Sequence, residues 1–151
     1  MKKLELIFTG LIFLGFIIRF TPIPGGSLTY TIGFLMLALL YYSLGFVYFN
    51  DIPIKKIFKK ESYKGISVLR IIGAVGLGIS LATVLIGILL LIHELPNGQQ
   101  NLIIGLIFTG IVALISIYKL FKTKDKFYKK ALKRIGFIGV PGVIILLLTI
   151  Y

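Results

Sequence analysis

Val68-Leu-Arg-Ile-Ile-Gly-Ala-Val-Gly-Leu-Gly-Ile-Ser-Leu-Ala-Thr-Val-Leu-Ile-Gly-Ile-Leu-Leu-Leu-Ile92 carries a single charge, Arg70, close to its start. A helix rises about 1.5 Å per residue and the hydrocarbon core of a bilayer is about 30 Å thick, so this run is long enough to cross a membrane. The polar turn His93-Glu-Leu-Pro-Asn-Gly-Gln-Gln-Asn101 follows, and a second apolar run returns from Leu102 to about Phe121. Upstream lie two more, from Leu4 to about Ile23 and from Leu28 to Phe49, parted by Pro22, Pro24, Gly25 and Gly26, which end a helix and turn the chain. A last run, Ile135 to Tyr151, has about the minimum length to cross and contains Gly139, Pro141 and Gly142.

The rest of the chain agrees with this reading. At 151 residues, 58% of them hydrophobic and with a mean hydropathy of +1.02, there is more apolar surface than a soluble domain of this size can bury. The predicted fold is all-α: a polytopic membrane helix bundle of about five transmembrane helices forming one domain over residues 1–151. No segment is left over for a separate soluble domain.

The net charge of +12 is grouped in short stretches beside the apolar runs, which is the pattern of cytoplasmic loops and not of a nucleic-acid surface. Lys2 and Lys3 precede the first span. Lys55, Lys56, Lys59, Lys60 and Lys64, with Arg70, make a first basic linker, and eight Lys and Arg from Lys119 to Arg134 make a second. Sixteen of the seventeen basic residues therefore fall on one side, and only Arg19 falls on the other. That asymmetry predicts a multi-pass membrane protein with its N-terminus cytoplasmic and its C-terminus outside. Tyr48, Phe49, Tyr118 and Phe121 are expected at the inner interface, and Tyr30 and Tyr151 at the outer one. A cleaved signal peptide fits the beginning less well, because Glu5 and Arg19 interrupt the pattern and no small-x-small site follows.

The two halves also resemble each other. When Pro24 is set against Pro96, Gly15 meets Gly87, Gly26 meets Gly98, Gly33 meets Gly105, and Gly10 meets the small Ala82. Leu69-Arg70-Ile71 is echoed by Lys133-Arg134-Ile135. A duplicated hairpin accounts for these matches, with repeat 1 at about 4–66, repeat 2 at about 67–134 and an extra span at 135–151. Both hairpins start and end on the basic side, so the repeat is parallel, unlike the inverted repeats of alternating-access transporters.

The run Phe16-Ile-Ile-Arg19-Phe-Thr-Pro-Ile-Pro24-Gly-Gly-Ser-Leu-Thr-Tyr-Thr-Ile-Gly33 resembles the N-terminal transmembrane hairpin of the gliding-motility protein GldL family. It has a basic residue near the end of the first helix, a Pro/Gly turn, and Ile-Gly near the start of the second. The resemblance covers roughly residues 4–50 and implies the hairpin fold and a Bacteroidota-type origin. In that family the hairpin belongs to a proton-driven inner-membrane motor for gliding and type 9 secretion, with an intramembrane glutamate about one turn beyond the Ile-Gly. Here the corresponding positions are Leu37 and, in the second half, Thr109, which cannot carry a proton at neutral pH. The long cytoplasmic domain of GldL has no counterpart, so the departures point away from motor activity.

Few residues suggest chemistry. There is no cysteine and only one histidine, so disulfides, thiolate nucleophiles and clustered metal ligands are not expected. No catalytic, cofactor-binding or metal site is expected, and no cofactor. Arg19 lies about one turn inside the outer interface. It either snorkels to the headgroups as an anchor or meets a partner or lipid anion. His93 and Glu94 are the ionisable residues of the external turn. As neighbours they point about 100° apart on a helix, and a solvated turn is the simpler reading beside an acid/base pair or a contact with Arg19.

In the second linker, Leu120, Phe121, Phe127, Tyr128, Ala131 and Leu132 form one helical stripe flanked by Lys126, Lys129 and Lys130. Such a helix is expected to lie on an anionic inner leaflet, held at about 1 kcal/mol per basic residue. Ala74 with Gly78, and Gly76 with Ser80, are small-xxx-small pairs suited to packing within the chain or to a homo-oligomer. The expected role is a non-enzymatic inner-membrane scaffold or accessory subunit whose partners are lipid and another membrane protein. A small transporter or channel component is the alternative.

Overall fold

A computed structural model describes residues 1–150, save the side chain of Ile150. The expectation for Tyr151 lies outside the described residues. The described residues form five α-helices, α1 Lys2–Arg19, α2 Gly26–Phe49, α3 Val68–Ile92, α4 Gly98–Thr123 and α5 Lys126–Ile150, with two short 3-10 turns, Ile54–Lys56 and Lys60–Tyr63, between α2 and α3. Among the described residues there is no strand. Four of the helices, α2 to α5, are long and apolar enough to cross a membrane, as a multi-pass membrane protein requires. The shorter α1, with Lys2, Lys3, Glu5 and Arg19, is not one of them.

The helices form a bundle in which sequence neighbours pack together. α5 then folds back over α4 and α3 and touches α2. One end of the bundle collects the start of α1, the Asn50–Ser67 connection and the α4–α5 turn, and with them nearly all of the charge; it is called the basic end below. The opposite end carries the two turns 20–25 and 93–97.

Glycines set the helix spacing, because a missing Cβ lets backbones approach closely. A Cβ at Gly15 would lie 2.3 Å from the Tyr30 nitrogen, and one at Gly87 would lie 2.5 Å from the Leu102 nitrogen. Gly26 abuts Arg19 and Gly98 abuts Leu91; Gly33 abuts Ile12 and Gly105 abuts Val84. Each contact in the first hairpin thus recurs 72 residues later between the corresponding residues of the second. The turns correspond too. Gly25 and Asn97 both adopt the left-handed conformation, and each carbonyl accepts from the backbone nitrogen four residues on, Thr29 and Asn101, at 3.0 Å. The fourth matched pair behaves differently: Gly10 faces open space, whereas Ala82 is buried.

The two hairpins meet where α2 crosses α3. A Cβ at Gly78 would lie 2.4 Å from the Tyr41 carbonyl oxygen, and one at Gly45 would lie 2.9 Å from the Gly78 Cα, with Ala74 completing the contact. Of the small pairs, Ala74 and Gly78 therefore serve this internal crossing. Gly76 has nothing nearby, and neither do Gly73 and Gly136.

Two expectations are corrected. The second linker is not a surface helix: the chain turns sharply at Lys124 (φ 51°), so Leu120 and Phe121 end α4 while Phe127 and Ala131 face the bundle core. The run from Ile135 is not a minimal span either, since it continues the helix that begins at Lys126, with Pro141 inside it. Tyr48 and Phe49 lie at the basic end and Tyr30 at the opposite one, all three buried against neighbouring helices, whereas Tyr118 and Phe121 are exposed. In α2 the large rings fill space between helices, because neighbouring α1, α3 and α5 cover the face that carries them.

Candidate functional site: polar clusters at the two ends of the bundle

At the basic end, Glu5 is the one buried charged residue among the described residues, 7% exposed. It sits in the first turn of α1 and is met by two tyrosines of α2 that lie two turns apart on one face. Tyr41 OH donates to Oε1 and Tyr48 OH to Oε2, each at 2.5 Å. Arg134 of α5 completes the shell, with Nη2 donating to Glu5 Oε2 at 2.7 Å and to Tyr48 OH at 2.7 Å, and Nε pairing with Oε1. A carboxylate removed from water is tolerated only when its charge is paired and its lone pairs are filled, and both conditions hold here.

Two further ion pairs flank this cluster. Lys130 donates to the Tyr48 carbonyl at 2.5 Å and to Asp51 at 2.7 Å, and lies 4.2 Å from the centre of the Tyr48 ring. Arg70 donates to Asn50 at 2.9 Å and to Asp125 at 2.6 Å, and covers the Phe127 ring. Asp125 also accepts from the Phe127 nitrogen at 2.8 Å, which fixes the first turn of α5. Three acids thus tie α1, the end of α2, α3 and α5 together. The charges cross-link helices that are distant in sequence.

The opposite end holds a smaller group. Arg19 Nη1 donates to Tyr30 OH at 3.0 Å, and Ser27 donates to the same oxygen at 3.1 Å. The Tyr30 ring stacks on Phe16, with centroids 4.9 Å apart, and faces the His93 ring at 5.5 Å. His93 Nε2 is hydrogen-bonded to Thr31 Oγ1 at 2.7 Å, so the two hairpins are joined here as well.

Of the residues singled out in the sequence, Arg19 and His93 are therefore brought together, through Tyr30. Glu94 is exposed in a left-handed turn position (φ 54°) and joins no cluster among the described residues. Lys126 and Lys129 are exposed on the first turns of α5, whereas Lys130 is engaged with Tyr48 and Asp51. Leu37 is buried and lines an apolar groove, while Thr109 is buried with its hydroxyl lacking a partner among the described residues. No group of three or more potential metal-ligating side chains occurs among the described residues.

Glu5, Tyr41, Tyr48 and Arg134 do not stand out as a group in the sequence. Their signal was the single acid interrupting the first apolar run, together with two tyrosines at i and i+7. Comparison with models of known protein families, with curated proteins and with solved structures finds no match.

Proposed function

We propose that the chain is a non-enzymatic scaffold or accessory subunit of the bacterial inner membrane, built from two duplicated hairpins and an extra helix, all five helices crossing. The observation that carries this reading is the Gly45–Gly78 crossing. The hairpins meet backbone to backbone, where a transporter would need a polar pathway. At the basic end, too, the clustered polar groups are spent on one another, with neither Glu5 oxygen left for a substrate.

The crossing of α1 is supported by its register against α2. It meets α2 at Tyr41 and Tyr48 through Glu5 and at Tyr30 through Arg19, so it runs beside most of a helix long enough to span. Placing the basic end in the cytoplasm follows from the distribution of Lys and Arg. The likeness of residues 16–33 to the GldL hairpin supports the relationship in shape, and Leu37 and Thr109 at the motor position support a role without proton-driven force. Open backbone at Gly73, Gly76 and Gly136 leaves faces on which a partner helix or a second copy can pack.

Affinity purification in mild detergent, followed by identification of co-purifying proteins, tests the scaffold role. A stoichiometric membrane-protein partner, with proteoliposomes no leakier than empty vesicles, is expected. Ion conduction by the reconstituted chain with no partner recovered would overturn the reading. A small transporter or channel component is the second reading, favoured by Glu5, since an ionisable residue within a membrane helix is a functional candidate in its own right. On that reading Glu5→Gln abolishes a measurable flux.

A further inference from the structure

α1 and α5 do not pack on each other along their length; the Glu5–Arg134 pair joins them at the basic end. Beyond that pair lies an apolar groove of about 230 Å³, floored by α2 and α3. Phe13 and Phe16 of α1, Ile88 and Ile92 of α3, and Phe137 and Ile145 of α5 are among its walls. Phe13 and Phe137, both more than half exposed, form its rim, so the groove opens sideways between α1 and α5, toward lipid. An apolar cavity of this kind stays dry and accepts hydrocarbon.

The groove ends beneath the cluster at the opposite end of the bundle. Phe16 stacks on Tyr30, the Tyr30 hydroxyl holds Arg19, and His93 directly follows Ile92. Arg19 is exposed and has no carboxylate partner among the described residues, whereas Arg70, Lys130 and Arg134 each have one. A guanidinium held in place by a phenol is a ready bidentate donor to a phosphate. We propose that this is a phospholipid site, with one acyl chain in the α1–α5 groove and the headgroup phosphate on Arg19 beside His93. An anionic headgroup is favoured over a zwitterionic one, because Arg19 is a cation whose charge no carboxylate neutralises among the described residues, the nearby turn acid Glu94 forming no ion pair with it. The inference rests on the chain being a multi-pass membrane bundle and not on its scaffold role.

The chain has no tryptophan, so one introduced ring reports a single place. Phe137→Trp puts a reporter on the groove rim, and Leu148→Trp puts one on an exposed part of the same helix. Both are reconstituted in phosphatidylcholine vesicles containing brominated phosphatidylglycerol or brominated phosphatidylcholine, and quenching is read against lipid mole fraction. The expected result is an apparent preference for phosphatidylglycerol of about threefold or more at Phe137→Trp and none at Leu148→Trp, with Arg19→Gln abolishing it. Tyr30→Phe, which keeps the ring but frees Arg19, should reduce it. Quenching at both positions that simply follows mole fraction overturns the site, as does a preference that survives both substitutions. If no brominated lipid quenches Leu148→Trp, the membrane reading itself has failed, a result distinct from failure of the site.

Discussion

Glu5 and Arg134 lie 129 positions apart in the chain, yet they form one ion pair, buried on the Glu5 side and half-buried on the Arg134 side, whose other carboxylate lone pairs are taken by Tyr41 and Tyr48. Removing one member of such a pair leaves the other charged in a poorly solvated place. Glu5→Gln is therefore expected to destabilise the folded chain by about 2 kcal/mol, visible as a melting temperature lowered by several degrees in detergent. Arg134→Met should do the same. In a double-mutant cycle the two losses should fall short of additivity by about 1 kcal/mol or more, the mark of a direct interaction. Additive losses would mean that each residue acts on its own. The parts of this cluster were legible separately: the acid that breaks an apolar run, and two tyrosines seven residues apart. What joined them was not, because Arg134 reads as one of sixteen basic residues on one side, and nothing in one sequence says which lysine or arginine will turn inward.

At the scale of the helices, the glycines that match between the two halves pack within the hairpins, and the unmatched Gly45 and Gly78 pack between them. Gly15 and Gly87 each lie against the backbone nitrogen of the residue fifteen positions on, and added methyl groups there have nowhere to go. Gly15→Val and Gly87→Val should each cost about 1–3 kcal/mol by overpacking. Gly78→Val at the hairpin crossing should cost at least as much, since it meets the Tyr41 carbonyl. Gly73→Ala and Gly76→Ala, with open space around them, should leave the melting temperature of the detergent-solubilised monomer unchanged or slightly raised. Equal melting curves for the two groups of variants would refute the packing roles. The hairpins were readable because proline and glycine spacing is local. The start of α5 is not legible, because the stripe from Leu120 to Leu132 has helical period throughout, and only the left-handed turn at Lys124, followed by Asp125 accepting from the Phe127 nitrogen, splits it between two helices and sends Phe127 into the core.

For the molecule as a whole, the proposed number of crossing helices and their direction follow from register and charge. Four satisfy length and composition, and α1 has 18 residues, about 27 Å of helix against a core of about 30 Å. Its register along α2 nevertheless puts Glu5 at one end of the bundle and Arg19 at the other, so if α2 crosses, α1 crosses beside it. Its charged ends then fall near the two interfaces, where lysine and arginine stems extend toward headgroups. The chain has no cysteine, so a single introduced thiol is a clean reporter of side. In intact spheroplasts, a membrane-impermeant maleimide should label Ile23→Cys, Glu94→Cys and Thr149→Cys. It should label Lys2→Cys, Lys59→Cys and Lys126→Cys only after lysis. Labelling of Lys2→Cys together with Ile23→Cys before lysis would place α1 on one face of the membrane and leave four spans. The opposite pattern at all six positions would keep five spans and reverse them, which would set sixteen basic residues against the usual rule. Because the Glu5–Arg134 pair anchors α1 to α5 at the basic end, breaking it should loosen the start of α1: in lysed spheroplasts Glu5→Gln is expected to speed labelling at Lys2→Cys while leaving that at Glu94→Cys unchanged.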